Sequence, residues 1–319
     1  MKKLVKTILS LIIAWNCQAQ TEQQILPTEL KKQTIITQPA TLYKGFFRVG
    51  MSANYLFLNK IFNEDGDRES ISNAFGKTWI AQAIFQYGVN DRLQVELSLP
   101  YINQTLFLSF LAQFPFDNSS QQIKFEQNGR GISDITMSGT YQLITENDSR
   151  PALTGRVTIF LPTGEKNPTN VQSPNEFDAP TGRGHLASEV TFNVRKTRYP
   201  FLFSGFVGYK FNFEGNKVID VGEPSQDFRD GGFFNISGLV GYHVNEWMAI
   251  INDLNYNRVG KNQVNGFNID SEAKWSVEYI PRLSFQIKQL RINQALTFPL
   301  WGKLSGADPG YIMVVQYVF

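Results

Sequence analysis

The chain has 319 residues, with 30 lysines and arginines against 28 aspartates and glutamates, so it lacks the excess positive charge that nucleic-acid binding requires. Its one cysteine, Cys17, excludes an intrachain disulfide and a cysteine-based metal site. No apolar run approaches the roughly 18 residues of a membrane-spanning helix, although 26 Phe and 12 Tyr are spread in short alternating stretches.

The first residues predict a secretory signal peptide. MKKLVKTILSLIIAWNCQAQ begins with a basic stretch, continues with an apolar run over residues 8–15 and ends in small and polar residues. We expect cleavage after Ala19, so that 1–19 is the signal peptide and three lysines leave with it. The mature chain is then nearly neutral, with 27 basic and 28 acidic residues. Residues 20–44, rich in Gln and Thr, are predicted to form a periplasmic N-terminal tail.

From residue 45 onwards, apolar and polar residues alternate in twelve stretches, and a period of two indicates β-strands. In PFLFSGFVGYKFNF, for example, the odd-numbered positions are mostly aromatic, whereas the even-numbered ones include Ser204, Lys210 and Asn212. The predicted strands are approximately 45–58, 77–89, 93–104, 131–145, 151–162, 183–195, 200–213, 231–243, 246–258, 271–287, 290–300 and 309–319.

Short and long connections alternate between these strands. Short turns are predicted near residues 91, 148, 198, 245 and 288, and the longer segments are 60–76, 105–130, 163–182, 214–230, 259–270 and 301–308. This asymmetry is typical of an outer-membrane barrel with short periplasmic turns and long extracellular loops. The sequence therefore predicts an all-β fold, a transmembrane antiparallel β-barrel of about 12 strands over 45–319. Its expected location is the outer membrane of a Gram-negative bacterium, with outer-membrane lipid and the barrel-assembly machinery as partners.

The end of the chain, YIMVVQYVF, has the pattern of a closing strand. Phe319, Tyr317 and Tyr311 share one face. We expect this strand to pair with the first one and Phe319 to face lipid at the periplasmic interface.

If the apolar faces contact lipid, the opposite faces line the lumen. They carry charges of both signs, which either pair to stiffen the wall or set the polarity of a solute path. These lumen-lining candidates are Arg48, Glu96, Asp134, Arg156, Glu189, Lys210, Asp253, Lys274, Glu278, Arg282 and Arg291.

The segment 105–130 is unusually apolar for an extracellular loop, since it contains TLFLSFLAQFPF. Three structures remain open for it. It folds inward as an apolar constriction, packs against the rim, or extends the strands.

Pro281 interrupts KWSVEYIPRLSFQI in the middle of a predicted strand. Because proline lacks a backbone N–H, we expect a bulge or kink over 279–282, with Arg282 or another lumen-side group satisfying the freed carbonyl. The kink is either a tolerated bulge or a lateral exit from the lumen into the bilayer.

Catalytic and metal chemistry have weak signals. Of the two histidines, His185 is the better candidate for a hydrolase site, but Ser188, the nearest serine at strand spacing, lies on the opposite face. His243 is predicted to be an interfacial residue in a periplasmic turn. The acidic stretch NEDGDRES lacks the glycine position of an EF-hand and is predicted to be a solvated loop. No catalytic residue, cofactor or metal ligand is assigned.

Three stretches resemble a known family. GRGISDITMSGTYQLI, RVTIFLPTGE and TGRGHLASEVTFNVRK are similar to the outer-membrane proteins named for the MetA pathway of phenol degradation, with Gly131, Asp134 and Leu161 to Gly164 at the matching positions. The resemblance implies a channel or passive transporter for small compounds, hydrophobic or aromatic ones among them. A structural or adhesive surface barrel with a plugged lumen is the alternative, and an outer-membrane lipid or ester hydrolase is the third reading.

Overall fold

The computed structural model describes residues 41–71, 74–113, 120–173, 176–218, 224–270 and 272–319. The regular structure in these ranges consists of β-strands. In this part of the chain, no helix is long and apolar enough to cross a bilayer.

Twelve antiparallel strands form a closed barrel, which confirms the predicted fold class and strand number. Each barrel strand pairs with its neighbours in the chain order, and the last pairs with the first. The barrel strands are β1 (Phe47–Leu58), β2 (Ala74–Asn90), β3 (Leu93–Gln113), β4 (Thr136–Ile144), β5 (Ala152–Phe160), β6 (Ala187–Arg198), β7 (Phe201–Asn212), β8 (Phe233–His243), β9 (Met248–Val259), β10 (Lys274–Ile287), β11 (Leu290–Lys303) and β12 (Gly310–Val318).

Strands β1 and β12 close the barrel. Their pairing runs from Arg48 opposite Val318 to Leu56 opposite Gly310. The backbone N–H of Phe319 donates to the carbonyl oxygen of Phe47 at 2.8 Å, and the rings of these two residues lie 6.3 Å apart. The predicted pairing of the terminal strand with the first strand is therefore confirmed.

The two faces of each strand differ as the alternation predicts. On β7, Phe203, Tyr209 and Phe211 are exposed on the outer surface, whereas Lys210 between them is buried inside. Since lipid covers this outer surface in a membrane, the exposed aromatic residues form the bilayer-contacting face. The polar residues accordingly face the lumen.

The segment 105–130 consists largely of strand. β3 continues to Gln113, and the strand Ser120–Ile132 pairs back along it, from Gln113 opposite Ser120 to Tyr101 opposite Ile132. Extra strand length is thus the alternative that the structure shows for the described part, and residues 114–119 lie outside it. β3 pairs with β4 only over 93–98, and from Tyr101 onwards it pairs with the 120–132 strand instead. The irregular residues 133–135 connect these two partners of β3.

Several predicted extracellular loops contain short strands. Lys60–Phe62 pairs with Arg68–Ser70 and with Ser305–Gly306. A second small sheet contains Gly215–Lys217, Gln226–Arg229, Gln263–Val264 and Phe267–Asn268. Thr169–Ser173 pairs with Glu176–Asp178, which adds in parallel to the 120–132 strand. These short strands add hydrogen-bonded pairs to the described parts of the predicted extracellular loops.

The acidic stretch NEDGDRES forms the tip of one of these hairpins. The side-chain Oδ1 of Asn63 accepts hydrogen bonds from the backbone N–H groups of Asp65 and Asp67, and these bonds hold the turn. Among the described residues, no three Asp, Glu, His or Cys side chains are grouped so that they could hold a metal ion.

Candidate functional site in the barrel lumen

The strand register defines where the predicted lumen residues lie. Ten of the eleven occupy inward-facing positions on the barrel strands, because they share the face of buried Ser52, Ser138 and Ser284 through the pairing ladders. The eleventh, Asp134, lies in the irregular segment just before β4. The lumen is therefore lined by charges from most of the wall.

A hydrogen-bond network crosses the inner wall from β1 to β5. Arg48 Nη1 donates to Gln86 Oε1 at 3.2 Å, and Gln86 Nε2 donates to Glu96 Oε2 at 2.5 Å. The other oxygen of Glu96 accepts from Arg156 Nη2 at 2.6 Å, and this nitrogen also donates to Ser138 Oγ at 2.8 Å. Charges of opposite sign thus neutralise one another along a continuous row, which offsets the cost of partial burial.

Other predicted charges have separate partners. Arg282 Nη2 lies 3.9 Å from Asp253 Oδ2, and Lys274 Nζ lies 3.4 Å from Asp270 Oδ1. Lys210 Nζ lies over the rings of Phe160 and Phe233, at 5.2 and 5.8 Å from their centroids. Glu189 accepts from the hydroxyl of Thr191, and Glu278 accepts from that of Ser276.

The periplasmic half of the lumen also contains Arg195, which the sequence prediction missed. Its Nε atom lies 3.4 Å from Glu146 Oε2, a residue of the turn after β4. The positive charges of Arg195, Arg48 and Arg282 all act on the buried guanidinium of Arg291. Because arginines outnumber carboxylates here, this end of the lumen carries net positive potential.

A cavity of about 600 Å³ lies beside this network. Most of its lining is Thr, Gln, Asn, Arg and Glu, and two aromatic rings, Phe160 and Phe206, also border it. This volume falls within the range of ligand pockets, about 300–1,000 Å³. The cavity, called the polar cavity below, can hold a small solute inside the barrel.

The segment before β1 covers part of the periplasmic end. Thr41 and Leu42 are only 2% and 4% exposed. The hydroxyl of Thr41 donates to Gln142 Oε1 at 3.3 Å, and the backbone N–H of Leu42 donates to Gln94 Oε1 at 3.0 Å. Both glutamines face the lumen, so residues 41–42 pack against its inner wall.

The three family-like motifs meet at the break between the 120–132 strand and β4. Asp134 accepts the backbone N–H groups of Gly164 and Arg183, at 3.1 and 2.9 Å. Gly164 and Gly182 are in close contact, since a Cβ on either one would lie 2.7 Å from backbone of the other. Asp134 therefore anchors the 161–186 loop across the extracellular end, a role that the alternation pattern does not indicate.

The histidines are both buried, at 2% exposure. His185 precedes β6; its Nε2 lies 3.3 Å from Asp230 Oδ2, and its Nδ1 lies 3.2 Å from the Arg183 carbonyl oxygen. Ser188 lies on the outer face, opposite Phe211, so the serine and the histidine of the hydrolase hypothesis are not brought together. His243 ends β8 directly before the periplasmic turn, and its side chain is buried on the inward face, with Nδ1 3.3 Å from the Asn245 carbonyl oxygen.

Lys217 lies nearby in the extracellular sheet. Its Nζ is 3.5 Å from the centroid of the Phe228 ring. Burial lowers the pKa of Lys217, and the Asp230 carboxylate partly opposes this shift. Aromatic and charged side chains therefore pack together above the lumen.

Pro281 lies on the outer face of β10. Its pairing with Asn252 of β9 is regular. On the β11 side, the ladder has no pairs at Ile280 and Pro281, and its register shifts between Val277 and Glu278. Arg282 Nη2 lies 3.9 Å from Asp253 Oδ2, whereas we expected Arg282 or another lumen-side group to satisfy a freed carbonyl.

The closed antiparallel barrel, its apolar outer belt and its charged lumen define an outer-membrane β-barrel protein. The chain belongs to the family described as "Putative MetA-pathway of phenol degradation", whose model matches residues 64–289.

Solved structures share this fold. The COG4313 outer membrane channel from Pseudomonas putida F1 matches with a TM-score of 0.65 and 14% sequence identity, over 88% of this chain and 97% of that chain. The Ralstonia pickettii toluene transporter TbuX matches with a TM-score of 0.45 and 12% identity, over 94% of this chain and 96% of that chain. At 14% identity, the likeness to the COG4313 channel shows the fold alone.

Proposed function

We propose that this protein is an outer-membrane channel through which small compounds, hydrophobic or aromatic ones among them, pass passively along the lumen. The observation that best supports the proposal is the polar cavity of about 600 Å³ in the lumen of the barrel. Eight-stranded barrels are filled by side chains and barrels of 16 strands enclose an aqueous channel. Twelve strands with an internal cavity suit a narrow path.

The lining of the cavity supports passage of solutes that combine a ring with polar groups. Phe160 and Phe206 offer apolar surface, whereas Glu96 and Arg156 bind one another instead of presenting one unpaired charge. A paired network neither repels nor traps a neutral solute strongly, and permeation requires such moderate binding. The family membership is consistent with this solute class.

A substitution that fills the cavity tests the proposal. Thr191 borders the cavity on β6, and the next residue, Phe192, faces outward. We expect Thr191→Trp to reduce single-channel conductance in planar bilayers, and uptake of phenol by proteoliposomes, at least about fivefold. Phe192→Trp is the matched control and should leave both values unchanged.

The rival proposal is a structural or adhesive barrel with a plugged lumen. It is favoured by the packing of Thr41 and Leu42 against the inner wall and by the anchored 161–186 loop. Wild-type protein that is folded but shows no conductance steps above the lipid baseline, and no phenol uptake, would support this rival and contradict the channel.

A further inference from the structure

A second, smaller cavity lies at the extracellular end of the inner wall. Its volume is about 210 Å³, and it is bordered by β1, β2, β3, the 120–132 strand and Ala179 of the 161–186 loop. Leu56, Leu58 and Leu106 supply aliphatic walls, and Gly76 lies between two of them. We call this cavity the apolar pocket.

Gly76 lines the apolar pocket without adding a side chain to it. Leu58, Gly76 and Leu106 are direct neighbours in one row across three strands. A Cβ on Gly76 would lie 3.2 Å from Leu58 Cβ and 3.7 Å from Leu106 Cδ1. The backbone of Gly76 does not adopt a positive φ, so the turn chemistry of glycine does not explain its presence.

The leucines of the pocket face the lumen and not the bilayer. They share the inward face with Thr78 and Gln104 through the same ladders. Leu56 and Leu106 are nevertheless 46% and 42% exposed. Lipid cannot cover inward-facing side chains, so this aliphatic surface contacts water unless a solute displaces it, and burial of apolar surface is favourable.

The volume sets the size of the solute. An aliphatic cavity of about 150 Å³ accommodates benzene, so a pocket of about 210 Å³ has room for one ring with a small substituent. Thr78, Gln104 and Gln127 border the same space and provide polar groups for a ring substituent.

We propose that the apolar pocket is a capture site for single-ring aromatic compounds at the extracellular end of the lumen. This proposal rests on the proposed channel function, since captured solute is meant to continue into the polar cavity. Binding at the pocket raises the local concentration of solute at the start of the path, and an affinity near millimolar allows its release.

The test measures binding of 4-fluorophenol to the full-length protein in lipid nanodiscs by ¹⁹F relaxation, with empty nanodiscs correcting for partition into lipid. Two variants change the pocket. Gly76→Ala fills its floor, and Leu106→Gln makes its wall polar at similar volume. Each is expected to weaken binding at least about fivefold, because part of the apolar contact is lost.

Matched controls make the same substitutions elsewhere. A Cβ on Gly139 meets no atom within 4 Å, so Gly139→Ala should bind as the wild type does. Leu186 is exposed and does not border the pocket, so Leu186→Gln should also be neutral. Crystals soaked with 4-iodophenol should show anomalous density between Leu58 and Leu106.

The outcomes separate the two proposals. Unchanged binding in folded Gly76→Ala and Leu106→Gln, or iodine density only elsewhere, would overturn the capture site even if wild-type protein conducts and takes up phenol. Weakened binding in both variants, with neutral controls, supports the capture site even if the wild type shows no flux, a result that would overturn only the channel.

Discussion

The polar cavity and the apolar pocket are built partly from the same two strands, β2 and β3, yet their chemistry is opposite. Near the periplasmic half, these strands present Gln86 and Glu96 to the polar cavity. Near the extracellular half, they present Gly76 and Leu106 to the apolar pocket. The pleat fixes which face a residue occupies, but position along the strand decides whether the lumen is polar or apolar there.

The two cavities also differ in what their side chains contact. In the polar cavity, Glu96 is 11% exposed and holds Arg156 and Gln86 by short hydrogen bonds. In the apolar pocket, the leucine side chains form no hydrogen bonds, and part of their aliphatic surface is uncovered. A solute therefore competes with an existing network in one cavity and covers free surface in the other.

The largest effect is expected from releasing the 161–186 loop, whose Ala179 borders the apolar pocket. Asp134→Ala removes the acceptor of two backbone N–H groups, those of Gly164 and Arg183. Leaving both unpaired should lower the free energy of unfolding by about 3 kcal/mol, as hydrogen bonds to charged groups contribute about 1.5–3 kcal/mol each. Urea unfolding in detergent micelles measures this, and an unchanged midpoint would contradict the anchoring role. Asp134→Asn, which keeps one acceptor oxygen, should recover part of the loss.

A second substitution is expected to open the polar cavity from the periplasmic side. A Cβ on Gly88 would lie 2.0 Å from the carbonyl oxygen of Tyr43, so Gly88→Ala must displace the 41–46 segment. We expect single-channel conductance to rise about twofold or more, since a wider opening lowers the resistance of the path. Gly139→Ala serves as the control, and equal conductance in the two variants would show that the segment does not limit flow.

A third prediction changes the charge of the polar cavity without changing its size. Glu96→Gln leaves Arg156 without its carboxylate and removes the negative charge to which Gln86 links Arg48. One unit charge at contact distance is worth about 1 kcal/mol or more in a hydrated site, so the permeability ratio of chloride to potassium should rise about fivefold. Reversal potentials in a salt gradient report this ratio. The exposed turn residue Glu246 provides the control Glu246→Gln, and binding of 4-fluorophenol should be unaffected in both.

The smallest effect is expected at Pro281, which borders neither cavity. If the irregularity at Pro281 is a lateral exit and not a tolerated bulge, Pro281→Ala restores a backbone N–H next to the gap in the β10–β11 ladder and tightens the wall. Uptake of an apolar solute such as toluene should fall about twofold, while ion conductance stays constant. Unaltered toluene uptake in the folded variant would leave Pro281 as a tolerated irregularity. The stability change should stay below about 1 kcal/mol, because the gain of a hydrogen bond is opposed by the greater freedom of the unfolded chain.

Much of the barrel follows from alternation alone. The pattern of PFLFSGFVGYKFNF predicts the strand Phe201–Asn212 and the inward position of Lys210. In a barrel, a period of two assigns the apolar face to the lipid and therefore the opposite face to the lumen. The extension of β3 to Gln113 is harder to predict. TLFLSFLAQFPF is apolar at successive positions, and a continuous apolar run does not distinguish a strand from a packed loop.

The partners in the lumen depend on neighbours that are distant in sequence. Gln86 joins Arg48 to Glu96 only because β2 lies between β1 and β3 in one register, and a neutral glutamine gives no signal by itself. His185 contacts Asp230, which comes from a loop two strands later. Gly76 also gives no signal in the sequence, since its place in the apolar pocket depends on Leu58 and Leu106, which flank it on the neighbouring strands.

The closure of β1 on β12 has a consequence for the dimensions of the lumen. Nine residue pairs fix the register of this seam, from Arg48 with Val318 to Leu56 with Gly310. A slip of one residue would set inward positions against outward ones, so only slips of two are compatible with the pleat. Each such slip changes the shear number, and with it the strand tilt and the radius. The register of this seam, together with the registers of the other strand pairs, therefore sets the width of the whole barrel.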